Sequence, residues 1–565
     1  MRKLLAFIIL FWGCFLNTAL ALSPIGCGGP NLDFLDTHYD TRYDERYVGQ
    51  AYGIMWNENQ DTYIRIGDPY FFIHDDIKRC ILADNGTVVY YLDGYNREDV
   101  DPSTIGTCDA TATKKLTDTG VFTGPASDYV GHYAHNKTDD TYSLITAKDD
   151  NDTLSLQDDI FVSGEEFEIC TGVFNGDDGQ VMVEIPAFYH KYWYDNGWHR
   201  HLISREKISG YELHHAFQKN GANVTARYIG AYEGVLYDTS EGKYVNGLCL
   251  PSNDSYKMSF DGTAETITSD TLTHPFTNLE VGVDTIVVSG TANNNGVYGI
   301  TAVTDTTITV DGDLENEASV ACTIQTQRDW SNDVLSSVAG KAPMNYGTRA
   351  NFRTAAANRG TGWRQQDFDL VSAVQLLYLI EYGSWYSQSE IGPGLTEWYN
   401  NWCPWNKYNP IERTGLSNGT ATWNVSNGDG NKGSYVSYRW IENPWGHIWK
   451  FVDGINVENH VPYVCNDDTN FADNTTIGYT SLEIILSDSN GWQKTLAQTA
   501  RGFLPASVGG SSSTYITDYY YQSTSGMIVS LGGDAGIQNA AGITFWSIGG
   551  SSSDRMSQLG SRIAY

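Results

Sequence analysis

Residues Asp367-Phe368-Asp369-Leu370-Val371-Ser372-Ala373-Val374-Gln375-Leu376-Leu377-Tyr378-Leu379-Ile380-Glu381-Tyr382-Gly383 read as one helix. Asp367 is a good N-cap, because a carboxylate accepts from the free N–H groups of the first turn, and Gly383 suits the left-handed residue that ends a helix. Leu370, Val371, Val374, Leu377 and Tyr378 recur at helical spacing, which predicts one apolar face laid on a core. Upstream, a shorter helix begins near Thr348 and carries Ala355, Ala356 and Ala357 up to Gly360. Outside this pair the texture changes. Residues 47–105 and 181–238 are Tyr- and Trp-rich runs of strand character, such as Val181-Met182-Val183-Glu184-Ile185, and from 430 to 565 short strands alternate with Gly-rich loops. Strands, two helices, then strands and loops predict an α+β domain with a long irregular half.

Two segments repeat each other. Residues 116–159 contain Leu116-Thr117-Asp118, Val130-Gly131, Ile145-Thr146-Ala147 and Thr153-Leu154-Ser155-Leu156. Residues 267–313 contain Ile267-Thr268, Val281-Gly282, Ile300-Thr301-Ala302 and Thr307-Ile308-Thr309-Val310 in the same order. Apolar and Thr/Ser residues alternate at period two, the signature of short antiparallel strands. Two copies are too few for a solenoid, so they read as small all-β modules, 113–171 and 256–328, inserted in a larger domain. The host is then 47–112, 172–255 and 329–565.

Composition supports folded β-structure. Of 565 residues 41% are hydrophobic and 13% aromatic, which excludes a disordered chain. With 57 Gly and 37 Tyr but only 7 Met, the chain is unlike a helical bundle. A net charge of −33 repels phosphate backbones, so nucleic acid is not an expected partner.

The N-terminus predicts export. Arg2 and Lys3 precede the apolar run Leu4 to Phe15, and Ala19-Leu20-Ala21 supplies a small-x-small site, so 1–21 reads as a cleaved signal peptide and 22–46 as an N-terminal arm. No later stretch approaches the ~20 apolar residues of a spanning helix, so membrane insertion is not expected and the mature protein is expected to be secreted. Eight cysteines remain after cleavage: Cys27, Cys80, Cys108, Cys170, Cys249, Cys322, Cys403 and Cys465. An even, widely spaced set in an exported chain predicts disulfides. Cysteines that flank an inserted module are brought together by topology, which predicts Cys108–Cys170 and Cys249–Cys322. Cys27–Cys80 and Cys403–Cys465 follow by remainder. Sequons at Asn85, Asn136, Asn151, Asn223, Asn253, Asn418, Asn424 and Asn474 are candidate glycosylation sites.

A family resemblance rests on several stretches taken in order. Asn443-Pro444-Trp445-Gly446-His447-Ile448-Trp449-Lys450-Phe451-Val452-Asp453-Gly454 resembles the "GNVWEW" core of C-type-lectin-like folds of the formylglycine-generating-enzyme type. Gly560-Ser561-Arg562-Ile563-Ala564-Tyr565 resembles the terminal "GFRL" strand of that fold. Val183 to Tyr189, Tyr228-Ile229-Gly230-Ala231-Tyr232-Glu233-Gly234 and Leu376 to Gly383 are similar to bacteriophage tail and tropism-determinant proteins that carry it. The resemblance implies a non-catalytic binder. It also implies that the last strand-and-loop segment contacts ligand: Trp546 in Gly542 to Gly550, then Ser551, Ser552, Ser553, Asp554 and Arg555, with Tyr515, Tyr519, Tyr520 and Tyr521 beside it. Phage virion proteins normally assemble in the cytoplasm, so the signal peptide favours surface display or secretion over a virion role.

Enzyme chemistry finds little footing. Formylglycine-generating enzymes use a cysteine pair near the C-terminus, whereas 466–565 contain no Cys. His199 and His201, with His190, His214 and His215 nearby, share a strand face as two metal ligands would. The alternative is that they pair with Tyr and Trp neighbours. No G-x-S-x-G or H-E-x-x-H context supports a hydrolase. Asn427-Gly428-Asp429-Gly430-Asn431 imitates half an EF-hand, but Lys432 and Tyr438 stand at the two positions that need Gly and Glu. Weak calcium binding at Asp149-Asp150-Asn151-Asp152 or Asp177-Asp178 stands beside the solvated-turn reading, and no cofactor is expected. These residues predict a secreted recognition protein for a glycan or cell-surface protein. The alternatives are a self-associating subunit of an extracellular filament or phage-tail-like appendage, and a secreted hydrolase.

Overall fold

Thr348 and Asp367 both cap helices. In a computed structural model, which describes residues 51–565 except 59–61, 68–71, 93–103, 127–128, 131, 139–140, 157–158, 171–173, 255–256, 397–411, 418–422 and 427–433, Thr348 and Asn351 form a reciprocal capping box on helix Arg349–Asn358. Asp367 accepts from the Leu370 N–H at 3.0 Å at the start of helix Phe368–Tyr382, and Gly383 closes it at φ 64° with its N–H on the Leu379 carbonyl. The expected single apolar face is corrected, since every residue from Phe368 to Ile380 is buried. This helix runs through the core, and an all-round buried helix has no polar side to keep wet.

The helices are a small minority. Strand accounts for 40% of the described residues and helix for 9%, so the class is all-β and the α+β expectation is overturned. Caps and helical periodicity made two helices easy to read, while the many short Thr-, Tyr- and Val-rich runs each add to an antiparallel ladder. A five-stranded sheet orders Glu212–Leu213, Tyr189–Asp195, Trp198–Ser204, Ala51–Asn57 and Thr62–Ile66. A six-stranded sheet orders Arg364–Gln365, Ile563–Ala564, Ala226–Gly230, Gln180–Pro186, Lys78–Leu82 and Val88–Tyr91. A seven-stranded sheet orders Gly502–Val508, Gly491–Thr499, Tyr519–Gln522, Trp546–Gly550, Ile528–Leu531, Trp449–Val452 and Leu559–Gly560. One continuous core, including Trp56, Val183, Leu377, Trp385 and Trp445, joins the first two sheets to the buried helix.

The repeated segments form two further sheets, each with its own core. The first runs from Thr104 to Cys170 and packs Leu116, Phe122, Ile145, Leu154 and Phe167. Its first strand starts at Thr104, ahead of the boundary read at 113. The second runs from Cys249 to Thr326 and packs Phe260, Ile267, Phe276, Ile286, Ile308 and Ile324. The copies match in register: Leu116 pairs with Leu154, and Ile267 with Ile308. Each carries an irregularity between Ile145 and Ala147, or between Ile300 and Ala302. There the skipped residue, Thr146 or Thr301, donates its hydroxyl to the facing strand at 3.3 or 3.2 Å. A bulge at one position bends the strand and raises its twist, which curls so small a sheet around its core.

Among the described residues no disulfide is formed. Cys249 faces Gln325 in its ladder, three positions from Cys322, or ~10 Å at ~3.3 Å per residue. A bridge needs Cα atoms within ~7 Å, so the expected Cys249–Cys322 link is corrected. Cys108 donates its thiol to the Ala110 carbonyl at 3.3 Å, Cys465 donates to Asp467 at 3.4 Å, and Cys80 is buried between Met182 and Tyr91 in the six-stranded sheet. Cys27, Cys403, the side chain of Cys170 and the segments expected as signal peptide and N-terminal arm lie outside the described residues.

Candidate recognition surface

Four Ser-x-Ser turns gather at one end of the seven-stranded sheet. Strand Gly491–Thr499 begins there, after Ser487 to Ser489, and strand Gly502–Val508 ends there, before Ser511 to Ser513. Tyr519–Gln522 and Trp546–Gly550 run parallel, so both also end there, followed by Ser523 to Ser525 and Ser551 to Ser553. In each turn the first hydroxyl accepts the N–H two residues on, at 3.2–3.3 Å. This local bond fixes the loop without a helix or ladder. Gln522 locks two turns together by donating its side chain to the Asp488 carbonyl and its N–H to Asn490.

The structure divides the expected contact residues. Tyr521 is half exposed at 50%, and Ser552, Ser553 and Arg555 are exposed. Arg555 lies over the Tyr346 ring. Ser551 and Asp554 are partly covered, because Asp554 accepts the Ser551 N–H at 2.8 Å and closes their own turn. Trp546 and Tyr520 are fully buried, which corrects their assignment to a contact surface. Trp546 donates to the Phe503 carbonyl at 3.1 Å and packs on Phe368. Tyr519 is half-buried between Trp492 and Phe545, and Tyr515 packs on Trp56. Strand alternation was the missing signal: 519 and 521 face one way, and 520 faces the other.

The histidines belong to the core. His190 Nε2 lies 3.1 Å from His201 Nδ1 with the rings stacked, and His201 Nε2 lies 2.8 Å from Gln498. His199 bonds Tyr192 and Glu58 and stacks on Trp56. Burial pushes His190 and His201 well below the usual histidine range and His214 down to about 3. Among the described residues no cluster of three His, Cys, Asp or Glu is arranged to hold a metal. In the first module Asp149 pairs with Lys115 at 2.6 Å, Asp150 accepts the Asp152 N–H and Asp152 accepts the Gly120 N–H, so this hairpin employs its own acids. Asn427 to Asn431 lie outside the described residues.

The sequons divide in the same way. Asn85, Asn151, Asn223 and Asn474 are exposed and Asn253 is half-buried. Asn136 is fully buried and hydrogen-bonded to Glu165, which removes it as a glycan acceptor in the folded protein. Asn418 and the side chain of Asn424 lie outside the described residues.

The stretches 228–234 and 443–454 meet in a buried charge network. Glu233 Oε2 lies 2.5 Å from His447 Nδ1, and Oε1 lies 2.8 Å from Lys450 Nζ, with all three side chains nearly inaccessible. Arg562 donates to the carbonyls of Gly230 and Ala231 beside them. Nothing in the spacing of Glu233 and Lys450 announces the pair, because a loop residue and a strand residue far apart in sequence meet only through tertiary packing. Among the described residues no helix is long and apolar enough to cross a membrane. The chain matches no protein-family model and no curated protein sequence.

Proposed function

We propose that this is a secreted, non-catalytic recognition protein that binds a glycan or cell-surface protein through the serine-turn end of the seven-stranded sheet. The supporting observation is the gathering of four hydroxyl-bearing turns on one rigid sheet end, with Tyr521 and Arg555 exposed in the same segments. Tyrosine supplies contact area at low entropy cost and serine supplies adaptable hydrogen bonding, the mixture that antibody paratopes use. The test changes Tyr521, Ser552, Ser553 and Arg555 to Ala singly and together, then measures melting and attachment to cells and glycan arrays. Loss of attachment with unchanged melting is expected. Normal attachment by the combined variant would overturn the reading. A filament subunit is the second reading, favoured by Ile105, which stands 63% exposed on the edge strand Thr104–Thr107. An exposed apolar edge strand is a template for pairing with another chain.

A further inference from the structure

We propose that Glu233 and Lys450 are joined by an intramolecular amide, formed by the protein on itself after folding. The geometry brings a nucleophile and a carboxyl group together in a dry place. Lys450 Nζ stands 2.8 Å from Glu233 Oε1, and their side chains are only 3% and 1% accessible. The Gly446 carbonyl accepts a second Nζ hydrogen at 2.7 Å, so the amine is held on one side of the carboxyl. His447 Nδ1, 2.5 Å from Oε2, supplies a proton relay at the other oxygen. A cavity of about 30 Å³ lies alongside, lined by Lys450, Arg562, Gln366 and Gln375, and is large enough for one water.

The reaction balances without an oxidant or a co-reactant. One proton moves from the Lys450 ammonium to the Glu233 carboxylate and comes to rest on Oε2, giving amine and acid, so that Oε2 leaves with this proton and the one from His447. The Nζ lone pair attacks Cδ and forms the N–C bond. His447 gives its Nδ1 proton to Oε2 and regains one from Nζ, and the Cδ–Oε2 bond breaks. Ammonium and carboxylate become an amide and one water. Burial draws Lys450 down to about 8 against the pull of Glu233, which raises its share of free amine. Although burial opposes it, His447 and Lys450 hold Glu233 below the usual glutamate range, so the neutral acid is the scarce form and the reaction is slow. The reaction happens once per molecule, so a slow step suffices. Proximity and exclusion of water are what an enzyme site supplies to such a condensation.

Mass spectrometry of the secreted, folded protein decides the matter. Protease digestion should release the peptides containing Glu233 and Lys450 as one species, lighter than their sum by one water. Two separate peptides of full mass would overturn the proposal. Lys450→Arg keeps the positive charge and cannot form this amide, so its two peptides should separate. His447→Asn should leave the wild-type lysine in place and slow the linkage, seen as a rise in separate peptides soon after synthesis. If either variant fails to fold, the wild-type digest still gives the answer.

Discussion

Asn294 Nδ2 donates to Glu317 Oε2 at 2.7 Å, and Asn136 Nδ2 donates to Glu165 Oε2 at 2.7 Å in the other module. In each copy the glutamate also gathers backbone N–H groups, Ala292 and Asn293 in one and Val162 in the other. The two bonds are not equivalent in register, since Asn136 faces Phe167 as Val288 faces Ile324, but each ties a loop to its own module. Removing the Asn294 side chain forfeits its bonds to Glu317 and to the Glu315 carbonyl, each worth about 0.5–1.5 kcal/mol net. Asn294→Ala should therefore raise proteolytic cleavage within 249–326 while the melting of the host stays near wild type. Limited proteolysis followed by peptide mapping checks this.

Trp546→Ala should cost about 3–5 kcal/mol, the usual loss for a large buried aromatic. Tyr521→Ala and Arg555→Ala, on the exposed side, should move the melting temperature little. Thermal melts of the three variants side by side separate core from surface.

Acid should weaken the contact between strand Trp198–Ser204 and strand Gly491–Thr499. Burial holds His190, His201 and His214 below their ordinary 6.5, so the unfolded chain binds more protons than the folded one. Stability from this cluster is complete above pH 6.5 and is lost as pH falls from there towards 3. Tyr192, Gln498 and Phe503 pack on His201, while His215, Arg501 and Asp369 complete the charged surroundings of the cluster. Asp518 and Asp534, raised by burial to about 7 and 6, act in the opposite direction over part of that range. The comparison is therefore between wild type and His201→Gln: denaturant melts should show a shallower acid loss in the variant.

Excision of the first module should respect Thr104. Replacing 104–170 with a short Gly/Ser linker should leave a cooperative melt, because the core made by Leu116, Phe122 and Phe167 leaves as a unit. Cutting at 113 instead strands Thr104–Thr107 without its partner Glu166–Cys170 and should lower solubility. Calorimetry of both variants, with recovery after centrifugation, distinguishes them.

Local chemistry was legible and distant pairing was not. Thr348, Asp367 and Gly383 announced their helix ends because capping needs only neighbours in sequence. The Ile145-Thr146-Ala147 and Ile300-Thr301-Ala302 repeat showed through because register is written at period two. The fold class was misread because two clear helices outweighed many strands of two to five residues, each too short to show a pattern alone. At the candidate surface, the family resemblance pointed to the Ser and Tyr segments. Whether Trp546 or Tyr521 faced solvent depended on the sheet on the far side, which no local pattern records. Cys249 and Cys322 were misjudged for a related reason: an insertion brings its ends together, but strand register sets which residues meet.

Strand Ile563–Ala564 lies between Arg364–Gln365 and Ala226–Gly230, with Tyr565 exchanging backbone hydrogen bonds with Tyr228. A slot inside the sheet is thus filled by residues that emerge last among these strands. Until they arrive, Ala226–Gly230 presents an unmet edge, and a sheet with an unmet edge is open to wrong partners. Pairings so distant along the chain also close slowly. The delay sets the order of assembly: the sheet is closed from its middle, and only after residues 563–565 have been made.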